Sequence, residues 1–215
     1  FRLGQATRQG HKGIPEGYFE EEQGLLGFFG PVSHLIRKKP STRWVSIEGP
    51  LRPQMFDLVE LKTSSHKQRL LFNPTVGIYY QWVMPLSSAA QLKAERNADG
   101  DLLLFCHEGE GEIFTEYGLL TYRKGHYVVV PKCIAYCIFP REKSQFLVIE
   151  NRNSHYQEPD RGIVGRHAPY DLNALVKPDL EAQQTRFRDL AAAVLKVEVE
   201  REVQLTTFNY QERVF

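Results

Sequence analysis

The sequence predicts a mostly-β fold: a double-stranded antiparallel β-barrel or sandwich with an extended N-terminal arm and one C-terminal helix. Three observations carry that expectation. Short runs rich in β-branched and aromatic residues recur through the middle of the chain. Gly109, Gly111, Gly118, Gly125 and Pro140 punctuate them at a spacing too short for the crossovers of a parallel sheet. One stretch near the C-terminus carries a helical period of apolar residues, with Phe187, Leu190, Ala191, Val194 and Leu195 on one face.

The elements follow in order. Residues 1–40 are rich in Gly, Pro and charge, with Gly10-His11-Lys12-Gly13 and Glu20-Glu21-Glu22, and show no period that would bury a face; they read as an extended arm. A degenerate barrel spans 41–150. Its first strands are expected at 42–47, 56–62, 69–72 and 76–84. A polar linker over 85–100 ends in the turn signal Asn97-Ala98-Asp99-Gly100. Six short strands then crowd together at 102–107, 112–116, 119–123, 127–130, 134–139 and 145–150. Residues 151–215 hold a long irregular stretch to about residue 180, the helix, and a closing strand carried by Val197, Val199, Val203 and Leu205.

Bulk properties bound the function classes. With 215 residues, 42% of them hydrophobic and 25% charged, the chain can bury a real core. A formal net charge of +1 gives no reason to expect nucleic acid or an anionic membrane as partner. Cys106, Cys133 and Cys137 are an odd set, which points to free thiols and a cytoplasmic setting. The chain opens at Phe1 without a signal segment and carries no apolar run of membrane-spanning length. Its ending at Gln211-Glu212-Arg213-Val214-Phe215, just after a strand-like run, reads as that of a cut piece.

The run from Gly100 to Glu112, followed by Gly118 and by Gly125-His126-Tyr127-Val128-Val129-Val130-Pro131, has the rhythm of the two cupin motifs. In metal-bearing cupins the pattern G-x5-H-x-H-x3-4-E with G-x5-P-x-G-x2-H turns three imidazoles and a carboxylate into the barrel around one divalent ion. Here the histidine positions of the first motif hold Cys106 and Glu108, Glu112 takes the carboxylate position, Cys133 the glycine and Tyr136 the last histidine. Thiolate, two carboxylates and phenolate would overload one cation with negative charge, so the barrel is expected to be metal-free. His107 falls one residue out of register and faces away from Cys106; it reads as an ordinary surface or interface histidine, as does His126 beside a turn glycine. Cys133 and Cys137 read as core packing, and Cys106 has no identifiable base beside it. His155 and His167 lie in the irregular stretch and read as solvent-facing or contact residues. Gly27-Phe28-Phe29-Gly30 lacks the strand-to-helix setting of a phosphate loop.

The run from Arg96 to Gly111, with Thr115-Glu116-Tyr117-Gly118 and Tyr127-Val128-Val129-Val130-Pro131, resembles the amino-terminal cupin of bacterial homogentisate 1,2-dioxygenases. Pro15-Glu16-Gly17, Phe29-Gly30-Pro31-Val32-Ser33-His34-Leu35, Lys39-Pro40-Ser41-Thr42, Leu71-Phe72-Asn73-Pro74 and the segment from Asn151 to Gly162 agree in the same order, so the resemblance covers nearly the whole chain. It implies a longer polypeptide with two barrels. The carboxy-terminal one would hold Fe(II) and open the ring of homogentisate to maleylacetoacetate in tyrosine and phenylalanine breakdown. The amino-terminal one would have lost its metal motif and would serve to scaffold, oligomerise and wall off the active site. It also implies trimers that pair into hexamers. No catalytic, cofactor-binding or metal-ligating residue is carried over onto residues 1–215, and Pro131-Lys132-Cys133 departs from the family's Pro-Arg-Gly. Two other readings stand beside it: a stand-alone, non-catalytic binding or structural cupin, and a self-contained isomerase or hydrolase using Cys106, Glu112 and Tyr136.

Overall fold

The computed structural model describes residues 13–26, 29–53, 55, 57–58, 60, 67–88, 92–158, 171–190, 193–202 and 204–215. The chain divides into two compact units, Phe1–Phe56 and Asp57–Phe215.

In the first unit, β1 (Phe19–Leu26) and β2 (Phe29–Arg37) pair antiparallel, so the expected arm contains a hairpin. Its pairing is carried by charge rather than by alternating apolar residues. Glu20 faces Ile36 and bonds to His34, and Glu21 faces Leu35 and pairs with Arg37. Such a strand shows no hydrophobic period to read. Residues 42–47, expected as a strand, are turn and irregular chain, with Val45 fully exposed. β-propensity needs a neighbouring strand before it becomes structure. Most of the expected strand at 56–62 lies outside the described residues.

The second unit is a two-sheet antiparallel sandwich of the jelly-roll kind. Its strands are β3 (Gln68–Phe72), β4 (Val76–Val83), β5 (Ala94–Asn97), β6 (Asp101–Glu108), β7 (Glu110–Thr115), β8 (Gly118–Arg123), β9 (Tyr127–Val130), β10 (Tyr136–Pro140), β11 (Ser144–Asn151), β12 (Lys196–Arg201) and β13 (Gln204–Asn209), with helix α1 at Leu180–Asp189. One sheet runs β3-β4-β11-β6-β9 and the other β13-β12-β5-β10-β7-β8. From β6 onward the chain passes back and forth between the sheets, and among the described residues every strand pair is antiparallel except β12 on β5. The lumen between the sheets is filled by alternate residues of each strand, including Leu102, Leu104, Cys106, Ile113, Val128, Tyr136, Phe146 and Val148.

A second apolar cluster covers the outside of the six-stranded sheet, where the Phe114 ring packs at a tilt against Phe187 of α1, centroids 4.6 Å apart. Helix α1 starts on the Asp179 side chain, which accepts from the Ala182 amide at 2.9 Å. Gln183 then docks it like a short strand, accepting from Thr115 N at 3.2 Å and donating to Thr115 O at 2.9 Å. The turn between β7 and β8 permits only glycine at its end. Gly118 has φ +128°, and a Cβ there would meet the Asp179 carbonyl carbon at 2.5 Å.

Three expectations are corrected. The helix ends at Asp189, so Val194 and Leu195 lie beyond it; Val194 is held by the C-terminal segment through Val214 N donating to its carbonyl at 3.0 Å. The single closing strand is a hairpin, β12 and β13, turning at Glu202 with φ +49°. The polar linker contains β5, a central strand whose Ala94 and Asn97 are buried. Among the described residues no helix is long and apolar enough to cross a membrane.

Cys133 lies in the turn before β10 with φ +65°, the left-handed region that a glycine occupies without strain. Cys133→Gly is expected to stabilise the fold by about 0.5–1 kcal/mol, a rise of about 2 °C in Tm for a chain of this size by thermal melting.

Candidate functional site

The lumen is where a cupin would carry chemistry, and β6, β7 and β10 supply its motif positions. Cys106 stands on the inner face of β6 and is almost wholly buried. Its Sγ donates to the carbonyls of Gly109 at 3.3 Å and Glu108 at 3.4 Å. Burial, with the Glu108 charge nearby, pushes its pKa up to about 11. Glu108 sits at the strand's end, half exposed, bound to Lys124 at 2.6 Å. Tyr136 projects into the lumen from β10, and its hydroxyl donates to Glu95 of β5 at 3.0 Å. Burial and the Glu95 charge hold that phenol protonated, well above its ordinary pKa.

Glu112 does not join them, which corrects the expected carboxylate position. Ile113 is the β7 residue that enters the lumen. Glu112 therefore lies on the outer face with Phe114, where it accepts from Arg186 of α1 at 2.9 Å and Arg141 at 3.4 Å. The Cys106, Glu112 and Tyr136 cluster required by a self-contained enzyme is split across the sheet.

An iron(II) centre open to dioxygen needs neutral imidazoles and a carboxylate turned to one point. These positions offer a protonated thiol, a carboxylate already bound to Lys124, an isoleucine and a protonated phenol, and they do not fit such a centre. Among the described residues no group of three His, Cys, Asp or Glu side chains could hold a metal ion.

The described histidines lie elsewhere. His107 is on the outer face of β6, within 3.0 Å of the Tyr80 hydroxyl. Arg123 donates to His126 at 3.0 Å. His155 is largely exposed and reaches Asp101 at 3.1 Å. His167 lies outside the described residues. Cys137 packs in the outer apolar cluster, burial first and then the Glu95 charge raising its pKa to about 12, while Cys133 is exposed.

The polar character of the lumen is concentrated instead at the end where β4, β5, β10 and β11 meet. Glu150 is buried and accepts from Asn97 at 2.6 Å and from the Tyr79 hydroxyl at 2.9 Å. Gln81 also faces inward there, between Tyr79 and Val83 of β4. None of Gln81, Glu95, Asn97 and Glu150 belongs to a cupin motif. The available signal was a polar residue at an inward strand position, as Gln81 is.

Residues 33–200 match the family described as Homogentisate 1,2-dioxygenase N-terminal. The chain is 35% identical over 95 residues to a homogentisate 1,2-dioxygenase of Caenorhabditis elegans, a stretch covering 44% of this chain and 20% of that relative. It is 40% identical over 70 residues to the Arabidopsis thaliana protein of the same name, covering 32% of this chain and 15% of that one. The matched stretches thus span a fifth or less of these curated relatives. Among solved structures, a cupin-2 domain containing protein from Shewanella frigidimarina matches with a TM-score of 0.36 at 17% identity, over 44% of this chain and 88% of that one.

The raised thiol values fix a reactivity pattern. At pH 8, iodoacetamide is expected to alkylate Cys133 alone in the folded chain and all three cysteines once it is unfolded, counted by mass spectrometry. Cys106 and Cys137 ionise near an ordinary value of 9.0 when unfolded and near 11 and 12 when folded. Their contribution to stability is therefore full below pH 9 and is lost as the pH rises toward 11 and 12, which denaturant melts across that range would record.

Proposed function

The chain belongs to the homogentisate 1,2-dioxygenase N-terminal family, and from that premise we propose that it is the metal-free barrel of a homogentisate 1,2-dioxygenase-like enzyme. The full-length protein would use Fe(II), bound outside residues 1–215, to open the ring of homogentisate to maleylacetoacetate in tyrosine and phenylalanine catabolism in the cytoplasm. This barrel scaffolds the enzyme, takes part in a homo-oligomer, trimeric or hexameric, and walls off the active site. One observation supports the metal-free role above all. The motif positions hold Cys106, Glu108, Ile113 and Tyr136, three of them packed in the apolar core and the fourth turned to Lys124.

The scaffold role draws support from the outer face of the five-stranded sheet. An antiparallel sheet with one face on the core usually turns polar residues to water on the other. Here Ile149, Leu103 and Val129 form one cross-strand row and Leu147, Phe105 and Tyr127 the next. Tyr127 is 65% exposed and Val129 45%. A contiguous apolar surface of this kind is what an interface buries.

Two measurements test the reading. After anaerobic incubation with Fe(II) and desalting, the 215-residue chain is expected to retain no stoichiometric iron and to consume no oxygen with homogentisate; one iron per chain with oxygen uptake would overturn the proposal. Sedimentation velocity is expected to show self-association that the double change Tyr127→Lys and Val129→Lys abolishes without loss of the β circular-dichroism signal. A monomer at all concentrations would remove the support from the apolar face.

A further inference from the structure

The polar end of the lumen opens into a cavity of about 250 Å³, below the size typical of drug-like ligand sites and suited to a small metabolite. Its wall contains Gln81, which is only 6% exposed, yet the Gln81 amide oxygen has no hydrogen-bond partner. A buried amide oxygen without a partner destabilises the fold, so its presence needs a reason.

The remaining polar groups of the wall decide what could pair with it. Lys67 is bound to Glu200, and Lys93 to Glu198 at 2.7 Å. The Tyr136 hydroxyl already donates to one oxygen of Glu95, and the Asn97 amide nitrogen to Glu150. Arg96 carries its guanidinium to Glu116 at 2.9 Å. The two lysine charges are thus spent on carboxylates, Arg96 Nε stays buried without a partner, and the acceptors left for a ligand are Gln81 Oε1 and the second oxygen of the Glu95 carboxylate. With Arg96 taken up by Glu116, the carboxylates of Glu95, Glu198 and Glu200 exceed the two lysine ammoniums by one. Leu102 and Leu205 add an apolar patch to the same wall.

We propose that this cavity binds a small organic ammonium compound, its –NH3+ group donating to Gln81 Oε1 and Glu95 and its short apolar body lying against Leu102 and Leu205. A primary ammonium supplies three donors and the positive charge the wall lacks. The inference stands apart from the iron reading, since it uses none of the cupin motif positions except Tyr136, and that one only as the group that orients Glu95.

The test is isothermal titration of the full 215-residue chain with n-butylammonium at neutral pH and low ionic strength, with n-butanol and butyrate as neutral and anionic counterparts of the same size. Saturable binding of one n-butylammonium per chain is expected, with both counterparts weaker by about tenfold or more, the difference a charge-assisted hydrogen bond makes. Glu95→Gln keeps an acceptor for Tyr136 and is expected to weaken binding about tenfold. Gln81→Leu removes the unpaired amide, so it should raise the Tm of the ligand-free chain while lowering affinity for n-butylammonium. Absence of saturable binding overturns the proposal. So does equal affinity for n-butanol, or binding that neither variant changes. Should Gln81→Leu fold poorly, Glu95→Gln carries the decision alone.

Discussion

The two-residue period of β7 is the constraint on which the rest of the barrel depends. Ile113 fills the lumen against β6 and β11, and its neighbours Glu112 and Phe114 are thereby committed to the outside. Phe114 supplies the apolar seat for Phe187, Glu112 the anion for Arg186, and Thr115 the backbone groups that Gln183 completes. Arg186 and Phe187 follow Gln183 by three and four positions, one turn along α1 and on the side that meets β7. A shift of one residue in β7 would bury Glu112 in the lumen and leave the helix without a seat. The same alternation that holds the C-terminal helix therefore takes the motif carboxylate away from any metal.

The lumen resolves its polar residues by pairing them. A buried carboxylate is tolerated only when donors surround it. Glu150 meets that condition through Asn97 and Tyr79, and Asn97 in turn fixes the turn leading into β6 by accepting from the amides of Asp99 and Gly100. Asp101, at the start of β6, takes the amides of Lys132 and Tyr156, tying the loop before β10 to the segment after β11. These contacts gather at one end of the barrel. At the other, Tyr122 and Ser144 bond to each other and the Cys106 thiol to the Gly109 carbonyl, all neutral groups. Buried carboxylates thus gather at one end of the lumen and neutral groups at the other, without a motif histidine at either.

Much of the fold was legible because the strands from β6 to β11 alternate cleanly and Gly or Pro marks their corners. The strands without a sequence signature are those whose pairing is not hydrophobic. β1 and β2 are joined by Glu21 with Arg37 and Glu20 with His34, and β5 is four residues with two charges among them. A central strand that presents Glu95 and Asn97 to the lumen carries no apolar signature, because its inner face pairs with Tyr136 and Glu150 rather than with leucines. The apolar period in the sequence points several residues beyond the true helix for a related reason. Its buried contacts are Gln183 and Phe187, and the apolar residues after Asp189 pack as irregular chain under the C-terminal segment.

The sequence by itself determined the antiparallel β class, the family, and the loss of histidines from the motif positions, because each of these follows from residue type and local spacing. Tertiary structure alone decided which side of the sheet Glu112 occupies, that Ile113 stands in the lumen in its place, and that Gln81, Glu95, Tyr136 and Glu150 meet at one mouth. Motif spacing permits either of two adjacent residues at the carboxylate position. Only the pairing of β7 with β8 and β10, and the helix waiting on its outer face, selects between them.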